Sequence, residues 1–265
     1  MADRVPANAL ADWLLAHGRT SVDTDEAAQL LGVPRGQVRT RLYAVAQRHE
    51  LVSAARGLWI PVPAQYRTWG APPGVQFVDD LMRHLSREYY VGWLSAAEIH
   101  GAAHQRPQAF QVAVDGRVGN RTVGRTRFDF ALRAGVANLP RVRHPVPTGF
   151  VRVATRELTV LDLCDELPRA AGLSNAATVL AELAEDDQLD VHELGRVSQV
   201  FPAATGRRAG WLLDLVAPHL DTDPLADALQ NRSGTPSLLR PDRPARGAVD
   251  TRWHVRMNTE VEPDL

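Results

Sequence analysis

Between Pro34 and Arg48 the chain reads PRGQVRTRLYAVAQR. The side chains here that could do chemistry are Arg35, Gln37, Arg39, Thr40 and Arg41. An arginine fork matches O6 and N7 of guanine, and a glutamine amide matches N6 and N7 of adenine. Val38, Leu42 and Val45, with Ala46, recur at helical spacing and predict one inward face. That face leaves Arg35, Gln37, Thr40 and Arg41 outside, with Arg39 beside them. Arg56 follows in AARGLW, beside a glycine at the tip of a predicted hairpin, within reach of phosphates or a minor groove. The chemistry these residues imply is recognition of duplex DNA. The competing reading is a protein-contact module whose arginines only solvate its surface.

Other constellations are weaker. Glu98, His100 and His104 lie close in sequence, but Glu98 and His100 are two apart and share no helix face. No HExxH pattern is present, so no metal site is expected. Asp115, Asp129 and Glu157 are acids of the kind a nuclease gathers around magnesium, yet no motif groups them. DGRVGNRTVGRTR has three glycines but lacks the Lys-Ser/Thr of a phosphate loop. It reads as a connection between strands whose arginines could add to a nucleic-acid footprint. Cys164, set among leucines, is expected to be a small core residue. The expectation is therefore no catalytic residue, no cofactor, no metal and no enzymatic activity.

These residues need elements to hold them. SVDTDEAAQLLG predicts a helix capped by Asp23 or Thr24 and stopped by Gly32. Pro34 suits the start of the next helix. ELVSAARGLWIPVP reads as two short strands about Ala54 to Gly57, with Trp59 packed inward. A first helix over Ala9 to His17 carries Trp13. Helix, short turn, helix, hairpin predicts a winged helix-turn-helix whose second helix could enter a major groove.

Beyond the Pro-rich stretch RTWGAPPG, VDDLMRHL reads as a helix. SAAEIHGAA predicts another, with Ser95 as cap and Glu98 reaching back to it. QAFQVAVDGRV, RTRFDFALRAG and GFVRVAT alternate as strands do, and RELTVLDLCDEL as a helix. The segment from Leu173 to Leu220 reads as helical, with breaks at Pro202 and Gly206, and DPLADALQN as a short helix. TPSLLRPDRPARG is a Pro/Arg-rich loop of open role, and DTRWHVRMNTEVE a last strand returning to the sheet. The fold class is thus mixed α/β: a winged helix-turn-helix over 1–70, then a larger α+β domain over 71–265 with a helical C-terminal part.

Composition agrees with a soluble protein: 265 residues, 45% hydrophobic and 23% charged. No run of 18 apolar residues suggests a membrane span, and the first residues do not read as a signal peptide; a cytoplasmic location is expected. Net charge is only −1, and all 30 basic residues are arginine. The charges are segregated, however. Arg35 to Arg67 holds six arginines against Glu50, and Arg106 to Arg156 ten against Asp115 and Asp129. Glu157 to Glu193 reverses this, with ten acids against Arg169. Such blocks produce local fields that the whole-chain charge conceals.

The order AAQLLGVPRGQVRTRL, HELVSAARGLWIPVP, YYVGWLSAAEIHGAAHQRP, FVRVATRELTVLDLCD, GLSNAATVLAEL and RRAGWLLDL resembles the AbiEi antitoxins of type IV toxin–antitoxin systems over roughly residues 8 to 220. The resemblance implies a winged helix that binds inverted repeats in its own promoter, through Arg35, Arg39, Arg41 and Arg56. It also implies a C-terminal domain that counters a nucleotidyltransferase-like toxin. Two copies, or one homodimer, are expected on the two half-sites. The alternative is a winged-helix transcriptional regulator whose larger domain senses a ligand.

Overall fold

The fold is that of a computed structural model, which describes residues 4–102, 107–185, 188–232 and 234–264. His104 and Arg106, and Asp186 and Asp187 of the acidic run, lie outside the described residues. Contacts group the chain into two compact units: residues 1–90, 108–137 and 143–152, and residues 91–107, 138–142 and 153–265. The boundary expected near Gly70 falls inside the first unit.

The first unit begins with α1 (Leu10–Ala16), β1 (Val22–Asp23), α2 (Thr24–Leu31), α3 (Val38–Gln47), β2 (Leu51–Ala55) and β3 (Leu58–Pro61). Asp23 caps α2 by accepting the Glu26 amide at 2.8 Å. Gly32 ends α2 in the left-handed region at φ 64°, a conformation open to glycine without strain. A single 3₁₀ turn, Arg35–Gln37, leads into α3. The three strands pair in the order β1-β3-β2. Leu10, Leu14, Val22, Ala27, Val38, Leu42, Val45, Leu51 and Trp59 close over one another as a small core.

Next come α4 (Val78–His84), β4 (Tyr89–Val91), α5 (Trp93–Ile99), β5 (Phe110–Val114), β6 (Arg121–Val123), β7 (Thr126–Leu132), β8 (Arg141–Val146) and β9 (Gly149–Ala154). The six strands order as β6-β7-β5-β4-β9-β8. β5 and β7 run parallel in register Phe110↔Phe128, and β6 and β7 form an antiparallel hairpin. Gly74 explains why the Pro-rich stretch is not a free linker. Its amide donates to Thr126 Oγ1 at 3.2 Å, and a Cβ there would meet the Phe128 ring at 2.9 Å. Arg121 donates to the Ala54 carbonyl of β2 at 3.2 Å. Residues on both sides of Gly70 therefore pack as one body.

Helices α6 (Arg156–Asp165), α7 (Leu173–Leu183), α8 (Val191–Ser198), α9 (Ala203–Val216) and α10 (Asp223–Leu229) build most of the second unit. Three sequence expectations change here. α5 is capped at Gly92, which places Ser95 inside the helix and buries it, so the Ser95–Glu98 capping arrangement does not form. Gly206 does not break α9. It lets α10 approach, because a Cβ there would stand 3.0 Å from Leu229 Cδ2. The last strand does not return to the large sheet. β10 (Ser237–Leu238), β11 (Val249–Asp250) and β12 (Val255–Arg256) make a separate sheet in the order β10-β12-β11.

α9 anchors that C-terminal segment. The buried Arg208 donates to the carbonyls of Cys164, Leu238 and Leu239, the last at 2.9 Å. Trp253 lies against Gly210 and donates through Nε1 to Asp214 at 2.6 Å. A Cβ at position 210 would run into the indole ring. Gly210→Ala should therefore lower stability by about 1–3 kcal/mol through overpacking, against the gain that alanine's helix propensity would give. Urea unfolding of the full chain followed by tryptophan fluorescence reads the sign, and a stabilised variant would refute the close packing.

Candidate nucleic-acid interface

α3 owes its orientation to three side chains. Val38 and Leu42 are fully buried and Val45 is 2% exposed. With that stripe inside, Arg39, Thr40, Arg41 and Tyr43 are exposed, and so are Arg35 and Gln37 of the preceding turn. Successive helical residues differ by about 100°, so Arg39 and Arg41 leave α3 about 200° apart. They cannot serve one surface equally.

The β2–β3 turn is held from two sides. The Thr24 amide donates to the Gly57 carbonyl at 2.9 Å, and His84 Nε2 donates to the Arg56 carbonyl at 3.1 Å. Gly57 itself sits at φ 86°. The backbone at the tip is fixed while the Arg56 side chain stays exposed. A cleft of about 1090 Å³ runs between this hairpin and the start of α3, and its lining includes Arg35, Arg39 and Arg56. Gln37, Thr40 and Arg41 are exposed but do not line it.

Three arginines face two carboxylates, Asp23 and Asp25, on the lining of this cleft. Arg39, Arg41 and Arg56 form no ion pair among the described residues. Arg35 Nε stands 3.2 Å from Asp25, with side chains 72% and 62% exposed. A pair so open to water is weak and yields readily to a stronger anion. His49 and His84 also line the cleft. Neither was anticipated: His84 comes from α4, and no local pattern ties it to a hairpin 28 residues earlier. Tyr43 is 64% exposed and stands one turn beyond Arg39. Trp59 packs into the core, and Trp13 packs partly buried against it.

The remaining candidates have other partners. His100 Nε2 bonds the Ala154 carbonyl at 2.7 Å, and its own carbonyl accepts from Arg156. Asp129 accepts from Asn120 Nδ2 at 3.0 Å, and Glu157 from the Asp190 amide at 3.1 Å. Among the described residues no three His, Cys, Asp or Glu side chains gather as a metal would require. No described helix is long and apolar enough to cross a membrane.

Residues 90–215 match the AbiEi antitoxin C-terminal domain. That segment belongs to the AbiEi antitoxin family. The matched segment is just under half of the chain and runs from β4 into α9. The fold is also similar to a crystal structure, that of the RV2827C protein from Mycobacterium tuberculosis. The TM-score is 0.69 at 15% identity, covering 96% of this chain and 92% of that one. No curated protein matches the chain.

Within the AbiEi segment, Cys164 is fully buried on α6. Burial pushes its thiol up to about 12, which the nearby Arg208 only partly offsets. The thiol stays protonated in native protein well above neutral pH, and a protonated thiol is a poor nucleophile. Iodoacetamide at pH 8 should leave Cys164 unmodified in the native chain and modify it once the chain is unfolded in urea. Mass spectrometry distinguishes the two, and rapid native labelling would contradict the buried position.

Proposed function

We propose that this chain is an autoregulating antitoxin whose front end is a winged helix-turn-helix that binds duplex DNA. Three helices, with α2 and α3 joined across Gly32 to Gln37, and a hairpin closing onto β1, are the parts such a module uses. The observation that carries the reading is the meeting of Arg35, Arg39 and Arg56 on one cleft. A helix and a neighbouring hairpin with cations between them can follow a groove and its flanking phosphates at once.

In this reading residues 1–70 recognise inverted repeats in the chain's own promoter and repress its operon. Residues 71–265, with the AbiEi segment, counter a nucleotidyltransferase-like toxin. Two copies, one per half-site, cover more base pairs than a single module reaches. Arg39 reads a base edge, Arg35 and Arg56 hold phosphates, and Gln37, Thr40 and Arg41 flank the contact. All of this takes place in the cytoplasm.

Arg39→Ala should weaken operator binding by about tenfold or more, the scale of one specific arginine–base contact. Arg41→Ala, on the other flank of α3, should cost less. Arg56→Ala should weaken all duplexes alike and flatten the log–log salt dependence by about one. Fluorescence anisotropy against promoter and scrambled duplexes at several salt concentrations measures these effects. Arg39 and Arg56 variants that bind the promoter as well as the parent would remove the DNA assignment. Rescue of growth on co-expression with the adjacent gene tests the antitoxin half separately, and the arginine variants should retain it.

A further inference from the structure

The second unit holds its own cleft, of about 520 Å³. Its lining includes Arg207 from α9, Asp227 from α10, and Arg232, Arg252 and His254 from the chain beyond. Apart from Arg207, these residues follow Leu220, beyond the stretch that carries the AbiEi resemblance.

The charges there are unbalanced. Arg207 is 7% exposed. Its guanidinium donates only to neutral oxygens: the Thr235 carbonyl and Ser237 Oγ, each at 3.3 Å, and the Arg232 carbonyl. Arg232 donates to the Ser198 carbonyl at 3.1 Å. Neither arginine forms an ion pair among the described residues. Burial lowers the pKa of Arg207, and the charge of Arg232 lowers it further. A guanidinium nevertheless stays protonated, and a buried charge ordinarily has a counter-charge. Arg252 has two, Asp223 at 2.7 Å and Asp214 at 3.5 Å. The one carboxylate on the lining, Asp227, is exposed and forms no ion pair among the described residues. His254, at φ 52°, is a non-glycine residue in the left-handed region, and such conformations gather at ligand sites.

We propose that this cleft binds a small phosphate-bearing anion of nucleotide size, with Arg207 and Arg232 supplying the missing counter-ion contacts. Guanidinium forks match phosphate oxygens in pairs, and the volume lies within the usual range for small-molecule sites, about 300–1,000 Å³. None of these residues lines the cleft of the first unit, so the proposal stands or falls apart from the DNA reading.

The test is calorimetric titration of the full chain at matched ionic strength with three probes: inorganic phosphate, ATP, and a five-nucleotide single strand. Saturable binding of phosphate, tighter for ATP, is expected. Arg232→Gln should weaken both by about tenfold, the scale of one lost charge-assisted contact. Asp227→Asn removes the lone carboxylate and should tighten both a few-fold, a direction that misfolding cannot produce. Arg196→Gln, at an exposed arginine of α8 that lines neither cleft, should change neither. The proposal is overturned if neither small anion saturates, if a folded Arg232→Gln variant binds as the parent does, or if only the oligonucleotide binds.

Discussion

Burial of Val38, Leu42 and Val45 sets the rotation of α3, and the character of the first unit follows from it. Each such side chain contributes about 1.5–3 kcal/mol when it leaves water, and all three enter the same small core as Leu10, Leu14 and Trp59. Turning the helix by one residue would exchange Val38 for Arg39, exposing an aliphatic group and burying an unpaired cation. Arg39 therefore faces water because of what its neighbours bury. The same constraint separates Arg39 from Arg41. Thr24 and His84 then hold the hairpin tip where Arg56 meets the same cleft.

Arginine is the only cationic side chain type here, apart from the histidines, and the two units use it differently. In the first unit Arg39, Arg41 and Arg56 are exposed and form no ion pair among the described residues, which suits a polyanion, while Arg19, Arg48, Arg67 and Arg83 are paired with carboxylates. In the second, Arg207 and Arg208 are buried and donate to neutral oxygens, carbonyls and the Ser237 hydroxyl. Arg208 spans three carbonyl oxygens with a planar fork, a geometry that a lysine ammonium could not reproduce. Adjacent positions on α9 thus perform different tasks: Arg208 holds the chain's end in place, and Arg207 stands at the edge of a cleft.

Much of the fold was legible where a local rule governs. Asp23 as cap, Gly32 as stop, the apolar stripe of α3, and strands β5, β7 and β9 follow from caps, glycine and periodicity. What was not legible depends on distant partners. β4 is three residues long and fully buried, too short for any period to appear. β8 contains Pro145 and survives because it lies at the edge of its sheet, where one missing donor is tolerated. Gly206 looked like a break because its reason, Leu229, lies far along the chain. Arg35 and Arg39 could be named from helical spacing and Arg56 from its place beside the hairpin glycine. The division between Arg39 and Arg41, and the arrival of His84, needed coordinates.

The Arg208 clamp also orders events in time. The first unit is complete once Arg152 has been synthesised. The second cannot satisfy Arg208 until Leu238 and Leu239 have left the ribosome. The residues that line the arginine-bearing cleft are therefore synthesised well before the acceptors of Arg208. A chain that ended ahead of residue 238 would lack two of the three carbonyl acceptors of Arg208.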